Sequence, residues 1–336
     1  MAITTLRDIA AKVGVSETTV SNAINHRGKM STNTYNKIMA VIAETGYIPN
    51  VSAQQLAHNR SRTIGIVVPD LENPFYGRLV KLVSLACKND GFYTLIVNSF
   101  NNSATEEQSV YRMVSERIEG LLIAPTNYSK PSSKYIPLLE QNKIKYCYIS
   151  NRIPKKNYPF VMTDLKQGSF LLVQHLLHTG KQNIYFLIGR GENAISFDRL
   201  AGCKSAFRAC GISFRPEFLI YCDKYDFDEG YCKTAALLAS GVPIDAIISI
   251  NDFMAAGALS ALTDASICVP DQIAVAGYDD MFFSRIAKVP LTTVRQNIDA
   301  IAQQSVAMLM DMIENDQQRT DEVYLAPELM IRESTR

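Results

Sequence analysis

The sequence predicts a mixed fold, α + α/β, in which a small helical head precedes a body of two parallel β-sheets. Three observations support this prediction: short helices with clear start and stop signals before residue 47, strands alternating with helices from Thr63 onward, and a separation of charge between these parts. Fully apolar strands that alternate with amphipathic helices are typical of parallel sheets covered on both faces. The length of the alternating region favours two such sheets over one.

Composition excludes several classes of protein. Of the 336 residues, 47% are hydrophobic and 20% are charged, which excludes disordered and fibrous chains. No apolar run reaches the roughly 18 residues that a membrane helix needs, and no secretory signal opens the chain, so we expect a cytoplasmic protein without a membrane partner. Seven cysteines without a C-x-x-C pair indicate neither a disulfide framework nor a zinc site, and we expect no cofactor.

Charge is distributed unevenly along the chain. Residues 1–62 carry seven Lys and Arg against three acids, a net charge of +4, whereas the remainder carries a net charge of −3. A basic head on a mildly acidic body favours a polyanion as the partner of the head. A solvated charged face is the alternative that charge alone leaves open.

Start and stop signals divide residues 5–46 into three short helices. The first begins with a capping box at Thr5 and ends at Gly14, where a left-handed residue stops the helix. Ser16 caps the second helix, and the third runs from Ser31 to Gly46. On the third helix, the face predicted to pack against the other two helices is formed by Tyr35, Ile38, Met39, Ile42 and Ala43.

The outer face of the second helix is polar. An exposed helix of short hydrogen-bonding side chains fits the DNA major groove, where base edges offer donors and acceptors. A solvated helix face is the alternative, but the tight turn before this helix and its basic surroundings favour double-stranded DNA. The residues of this face are Glu17, Thr18, Thr19, Ser21, Asn22 and Asn25.

The string LRDIAAKVGVSETTVSNAIN resembles the helix-turn-helix of the lactose-repressor/galactose-repressor family of bacterial transcription regulators, whose recognition helix carries VS-x-x-TVSR. Asn22 stands where the family has an Arg that reads guanine. Because Asn grips adenine N6 and N7, we expect a changed operator base there, and Glu17 can accept from a cytosine amino group. The resemblance also implies DNA contacts from Thr5, Ser16, Lys29, Ser31 and Thr34.

Residues 50–62 are predicted to form a hinge helix and a linker. Asn50 caps a segment of barely two turns, and helices shorter than roughly 12 residues are marginal alone in water. The resemblance implies that this helix pairs with its mate in a homodimer and pushes Leu56 into the minor groove, with Ala53 and Ala57 small enough for close approach. A disordered tether is the alternative.

The body begins with a repeated pattern of short apolar runs. Polar residues follow these runs, where open α/β sheets bind ligands, so a cleft between two sheets would collect them. The runs predicted as strands are TIGIVVPD, TLIVNS, GLLIAP, KYCYIS, IYFLIG, FLIYCD, DAIISIND and IAVAGYDD. Helices are predicted between them, among others at Phe75–Lys88, Thr105–Arg117, Gly168–Thr179 and Leu200–Ala209.

The resemblance extends through the whole chain, with matches such as TIGIVVPDLENPFYG, VAGYDD and PLTTVRQN. It implies a periplasmic-binding-protein-like core of two lobes joined by three crossovers. One departure is Asp164-Leu165 where the family has Asp-Asn, which loses a polar contact near a crossover. The expected bounds are 1–49 for the helix-turn-helix domain, 50–62 for the hinge, and 63–336 for the core, with lobe one at about 63–162 and 292–321 and lobe two at about 163–291 and 322–336.

The resemblance carries eight positions over to effector binding: Asn73, Phe75, Asn151, Arg152, Arg199, Tyr225, Asn251 and Asp279. Carboxylates and amides accept from hydroxyls, arginine donates, and aromatic faces cover CH groups. A sugar or sugar derivative suits this set, and a purine that stacks on the aromatic groups is the alternative. We therefore expect a dimeric, ligand-gated repressor of carbohydrate uptake or catabolism. A solute-binding protein without a DNA function is the alternative from another class.

Two sequence patterns resemble a cofactor site or a metal site, but both are incomplete. Gly189-x-Gly191-x-x-Ala194 mimics a dinucleotide fingerprint, but no acid lies between Asp198 and Glu217, where such a site needs one. His175 and His178 share a helix face without a third ligand of known spacing. We therefore expect neither an enzyme nor a metal site.

Overall fold

The computed structural model describes residues 4–24, 28, 30–47, 61–126, 132–189 and 194–336, and the predicted hinge helix at residues 50–57 lies outside them. The chain forms two compact units that divide between Ser61 and Arg62. Within the described ranges, no helix is long and apolar enough to cross a membrane.

The first unit contains the three predicted helices, α1 (Leu6–Val13), α2 (Glu17–Ile24) and α3 (Thr32–Thr45). The capping box of α1 is present, because the Thr5 hydroxyl accepts from the Asp8 N–H and the Asp8 carboxylate accepts from the Thr5 N–H. Gly14 and Gly46 end α1 and α3 in the left-handed conformation. The buried core consists of Ile9, Ala10, Val20, Ala23 and Ile38.

The packed face predicted for α3 is partly wrong. Met39 and Ala43 are exposed, whereas Val41 packs against the core beside Ile38. The helical period identifies an apolar stripe, but the position of α1 and α2 against α3 decides which edge of the stripe is covered.

Lobe one of the second unit is built on a six-stranded sheet in the order β11-β5-β4-β3-β1-β2, in which all neighbours are parallel. Its strands are β1 (Thr63–Val68), β2 (Tyr93–Asn98), β3 (Gly120–Ile123), β4 (Lys145–Ile149), β5 (Phe160–Thr163) and β11 (Glu322–Leu325). Its helices are α4 (Pro74–Asn89), α5 (Ser103–Ser115), α6 (Ile136–Gln141) and α12 (Ile298–Glu314).

Lobe two is built on a second six-stranded sheet in the order β12-β10-β9-β8-β6-β7, in which only the β10 and β12 pair is antiparallel. Its strands are β6 (Ile184–Gly189), β7 (Leu219–Cys222), β8 (Ala246–Ser249), β9 (Ala274–Asp279), β10 (Thr292–Arg295) and β12 (Glu328–Met330). Its helices are α7 (Leu165–His178), α8 (Ala194–Ala209), α9 (Phe227–Ala239), α10 (Asp252–Asp264) and α11 (Phe283–Ile286).

The chain passes between the lobes three times: from β5 to α7, from β10 to α12, and from β11 to β12. The lobe bounds predicted at the last two crossovers are wrong. Residues 292–295 pair with β9 and β12 in lobe two, and residues 322–325 pair with β5 in lobe one. Hydrophobic pattern marks a strand but not its sheet, because the partner strand is distant in sequence.

The departure at Asp164-Leu165 leaves the first crossover well ordered. The Asp164 carboxylate accepts from the Gln167 N–H at 2.9 Å and so caps α7. Leu165 is buried in the hydrophobic core that both lobes share. An apolar residue therefore replaces a polar contact at this crossover.

Candidate functional sites

The α2 helix presents a polar face opposite its buried side chains. Val20 and Ala23 are fully buried in the head core. Thr18 and Asn22, four residues apart, lie on the opposite side of the helix, and Glu17 is exposed in its first turn. Thr19 and Ser21 are half-buried at the flanks. The face therefore offers a carboxylate, hydroxyls and an amide from one rigid helix.

Three residues predicted to contact DNA are helix caps. Besides Thr5, the Ser16 hydroxyl accepts from the Thr19 N–H, and the Ser31 hydroxyl accepts from the Thr34 N–H, both at 3.1 Å. Such caps hold helix N-termini, which attract phosphate groups. The predicted DNA contacts Asn25, Lys29, Asn50, Ala53, Leu56 and Ala57 lie outside the described residues.

A cleft opens between the lobes where their strands end. The structure brings together six of the eight residues predicted for effector binding, Asn73, Phe75, Arg199, Tyr225, Asn251 and Asp279. The prediction missed five further lining residues, Tyr76, Ser150, Ile195, Ile250 and Gln296. Ser150 and Gln296 directly follow β4 and β10, so the polar-after-strand rule could have found them. The apolar members carry no such signal.

Arg199 is held on three sides. One Nη atom donates to the Ile250 carbonyl, and the other lies 3.6 Å from an Asp279 carboxylate oxygen. The guanidinium carbon lies 3.9 Å from the centroid of the Tyr278 ring, within the range of a cation–π contact. The Nε atom is buried without a hydrogen-bond partner. Arg199 is thus fixed in place, and its Nε–H is a donor left for a ligand.

Asp279 ends β9 with a backbone φ of 108°, which L residues rarely adopt. Its carboxylate accepts from Gln296 Nε2 at 2.7 Å. Burial raises the pKa of Asp279 to about 6, although Arg199 and the Gln296 hydrogen bond lower it. Backbone strain of this kind concentrates at functional sites. Asp279 thus places a hydrogen-bond acceptor beside the cleft, and this carboxylate is paired with the Arg199 guanidinium.

Tyr225 enters the cleft because β6 ends in glycine. A Cβ atom on Gly189 would collide with the Tyr225 hydroxyl group. The role of Gly189 is therefore close packing under an aromatic ring. Asn251 donates to the Tyr225 carbonyl at 3.0 Å and caps α10 by accepting from the Met254 N–H at 2.8 Å. Asn73 caps α4 in the same way, accepting from the Phe75 N–H at 3.0 Å.

Asn151 and Arg152 are not among the residues that line this cleft, and their role as effector contacts stays a prediction. Asn151 is fully buried, and its side-chain oxygen accepts from the Arg152 N–H at 2.8 Å. The Arg152 guanidinium is bound to Asp198 of lobe two. The side chains that follow β4 are therefore drawn into contacts that the sequence did not reveal.

Two family models match the chain. The model described as bacterial regulatory proteins, lacI family, matches residues 5–50, and the periplasmic binding protein-like domain matches residues 173–335. The HTH-type transcriptional regulator DegA of Bacillus subtilis (strain 168) is 31% identical over 332 residues, which are 99% of this chain and 98% of DegA.

Solved structures of regulators are similar to this chain over nearly its full length. A lac repressor dimer bound to operator and the anti-inducer ONPF is 26% identical with a TM-score of 0.86, over 99% of each chain. A complex of the transcriptional regulator CelR with cellobiose is 26% identical with a TM-score of 0.73, over 98% of this chain and 99% of that one. With its helix-turn-helix head, two-lobed core and near full-length similarity to DegA, this chain belongs to the lacI family of bacterial regulatory proteins and is a DNA-binding transcriptional regulator, not an enzyme.

Proposed function

We propose that this regulator represses an operon for carbohydrate uptake or catabolism and that a neutral sugar or sugar derivative in the cleft controls it. One observation carries the proposal. Ser150, Arg199 and Gln296 line the same cleft, and each has a buried atom without a hydrogen-bond partner: Ser150 Oγ, Arg199 Nε and Gln296 Oε1. Buried polar atoms normally have partners, and a ligand between the lobes supplies them.

The three atoms and Asp279 restrict the chemistry of the ligand. Gln296 Oε1 and the Asp279 carboxylate only accept hydrogen bonds, Arg199 only donates them, and the Ser150 hydroxyl does both. Neighbouring hydroxyl groups satisfy such a mixed set, whereas a phosphate group would place acceptors against Gln296 and Asp279. Phe75 and Tyr225 provide aromatic surface for the CH groups of a sugar. The cellobiose complex of the similar regulator CelR supports this class.

The head is proposed to read an operator with twofold symmetry in the cytoplasm. Each α2 helix occupies one major-groove half-site, and the predicted hinge helices with Leu56 lie between the half-sites. Asn22 selects adenine at the base that an arginine would read as guanine.

A homodimer is proposed to form along the edges of both sheets. Tyr93, on edge strand β2, and Phe100 are 77% and 74% exposed. In lobe two, Tyr221 lies exposed on edge strand β7, and Phe282 and Ile286 are 69% and 74% exposed. Exposed apolar groups of this size mark interaction sites, and a second copy covers them in both lobes at once.

The test uses the full-length protein in two steps. Selection from random duplexes defines the operator, and thermal shift is then measured with cellobiose, ribose, glucose 6-phosphate, hypoxanthine and adenosine. We expect a neutral sugar to raise the melting temperature and to change the operator Kd. A response to hypoxanthine or adenosine alone would instead establish the purine alternative. No preference for any palindromic site would contradict the repressor function.

A further inference from the structure

An ion pair joins the two lobes beside the cleft. Arg152 follows β4 in lobe one, and Asp198 lies on α8 in lobe two. The Arg152 Nη2 atom lies 2.9 and 2.8 Å from the two carboxylate oxygens of Asp198. The side chains are 23% and 14% exposed. Over the part of the core that the structure describes, no other ion pair connects one lobe to the other.

Both partners of the pair are tied to the cleft through the chain. Asp198 directly precedes Arg199, and Arg152 is two residues after Ser150, and both of these neighbours line the cleft. A ligand that engages Ser150 in lobe one and Arg199 in lobe two therefore pulls on the two segments that carry the ion pair.

One polar atom of this ion pair lacks a hydrogen-bond partner, and burial opposes the charge of Asp198. The Arg152 Nε atom is buried and has no hydrogen-bond partner. Burial raises the pKa of Asp198 in spite of the Arg152 charge, with Asp164 adding to the rise and Lys166 opposing it. Desolvation thus opposes the attraction between the two ions.

We propose that Arg152 and Asp198 form an interlobe latch that holds the two sides of the cleft together and couples ligand binding to the arrangement of the lobes. Its regulatory meaning rests on the proposed function of the cleft. The latch itself is a property of the ligand-free protein, so it is testable without ligand or DNA.

The first experiment measures the distance between the lobes by pulsed electron paramagnetic resonance in ligand-free, full-length protein. Spin labels are attached to cysteines introduced at Glu116 in lobe one and Arg208 in lobe two, both exposed. Serine replaces the accessible native cysteines, and unlabelled protein dilutes the labelled chains. The residues replaced by serine are Cys210, Cys232 and Cys268.

Arg152→Gln and Asp198→Asn are each expected to lengthen and broaden this distance, and the swapped pair Arg152→Asp with Asp198→Arg is expected to restore it. Glu328→Gln is the matched control, because it opens an ion pair with Arg295 inside lobe two that is also 2.8 Å long. Single variants with the wild-type distance, or a swapped pair that behaves like the single variants, would overturn the latch.

The second experiment measures coupling, with cellobiose as the probe and the selected operator as the readout. In each single variant, the factor by which cellobiose changes the operator Kd is expected to fall at least about 5-fold, the lower range of allosteric coupling. An unchanged factor would remove the regulatory role. If cellobiose has no effect on the wild type, the proposed ligand class has failed for this sugar, and the interlobe distances still decide the latch.

Discussion

The α2 face of the head and the cleft of the core are both polar sites, but they are assembled in opposite ways. The described residues of the α2 face all come from one eight-residue helix, whose register on the head is set by a small buried core. The cleft takes its residues from several separate segments between Asn73 and Gln296. In the head, recognition can change without loss of structure. In the cleft, one substitution disturbs residues that contact each other across the chain.

The largest expected effect is loss of the head core. Ile38→Ala should cost the head about 2–5 kcal/mol, which is enough to unfold so small a unit. Specific operator binding should disappear, whereas ligand affinity and the unfolding transition of the core should remain. Binding titrations and calorimetry check this. Met39→Ala, at an exposed position of the same helix, should be nearly neutral, and equal losses in the two variants would contradict the assigned core.

Removal of the Arg199 guanidinium should weaken ligand binding and leave operator binding unchanged. Arg199→Met should lower the affinity for the sugar identified by thermal shift by about 1.5–3 kcal/mol, the contribution of hydrogen bonds to a charged group. Operator affinity without ligand should stay near that of the wild type. Isothermal titration measures the first quantity. Arg208→Met, exposed on the same helix, is the control, and wild-type affinity in Arg199→Met would exclude Arg199 as a ligand contact.

Exchange at Asn22 should change which base is selected and leave the fold intact. Asn22→Arg should regain guanine at the base opposite residue 22, with discrimination of about 1–3 kcal/mol. Selection from random duplexes gives the half-sites of the wild type and the variant. Asn33→Arg adds the same charge at an exposed position of α3 and should leave the half-site unchanged. Identical half-sites for the wild type and the Asn22→Arg variant would show that this residue does not read a base.

The smallest expected effect is a pH dependence from Asp279. A sugar hydroxyl donates to its carboxylate, so ligand affinity should fall as the pH drops below about 6, where the carboxyl group binds a proton. The slope is at most about tenfold per pH unit. Titration calorimetry between pH 5 and 7.5 measures it. Asp279→Asn should bind more weakly with a flatter profile, and a flat profile in the wild type would remove Asp279 from the ligand contacts.

The pH dependence of folding stability that comes from Asp279 has the opposite sign to that of ligand affinity. Because the pKa of Asp279 is raised from 3.8 to about 6 in the folded protein, the folded state holds this proton more tightly than the unfolded chain. Its contribution to stability is therefore fully present below about pH 4 and is lost as the pH rises through 6.

The strength of local signals decided how well each element could be predicted. The long apolar runs of β1 and β6 are buried along nearly their whole length, and their composition marks them as strands. The strands β5, β10 and β11 were not predicted. Polar residues interrupt the four-residue strands β10 and β11, and the apolar run of β5 is only three residues long. Arg152 was predicted for the cleft because it follows a strand, but Asp198, its partner, lies 46 residues away.

The helix-turn-helix head, its caps and its polar reading face follow from the sequence by itself, because caps and helical period involve residues within a few positions of each other. The alternation of strands and helices, and the polar residues at the strand ends, are local in the same sense. Only the tertiary structure decided which sheet takes β10 and β11, that Gly189 makes room for Tyr225, and that Arg152 bridges the lobes. These features depend on which distant segments come into contact, and hydrophobic pattern along a chain does not record that.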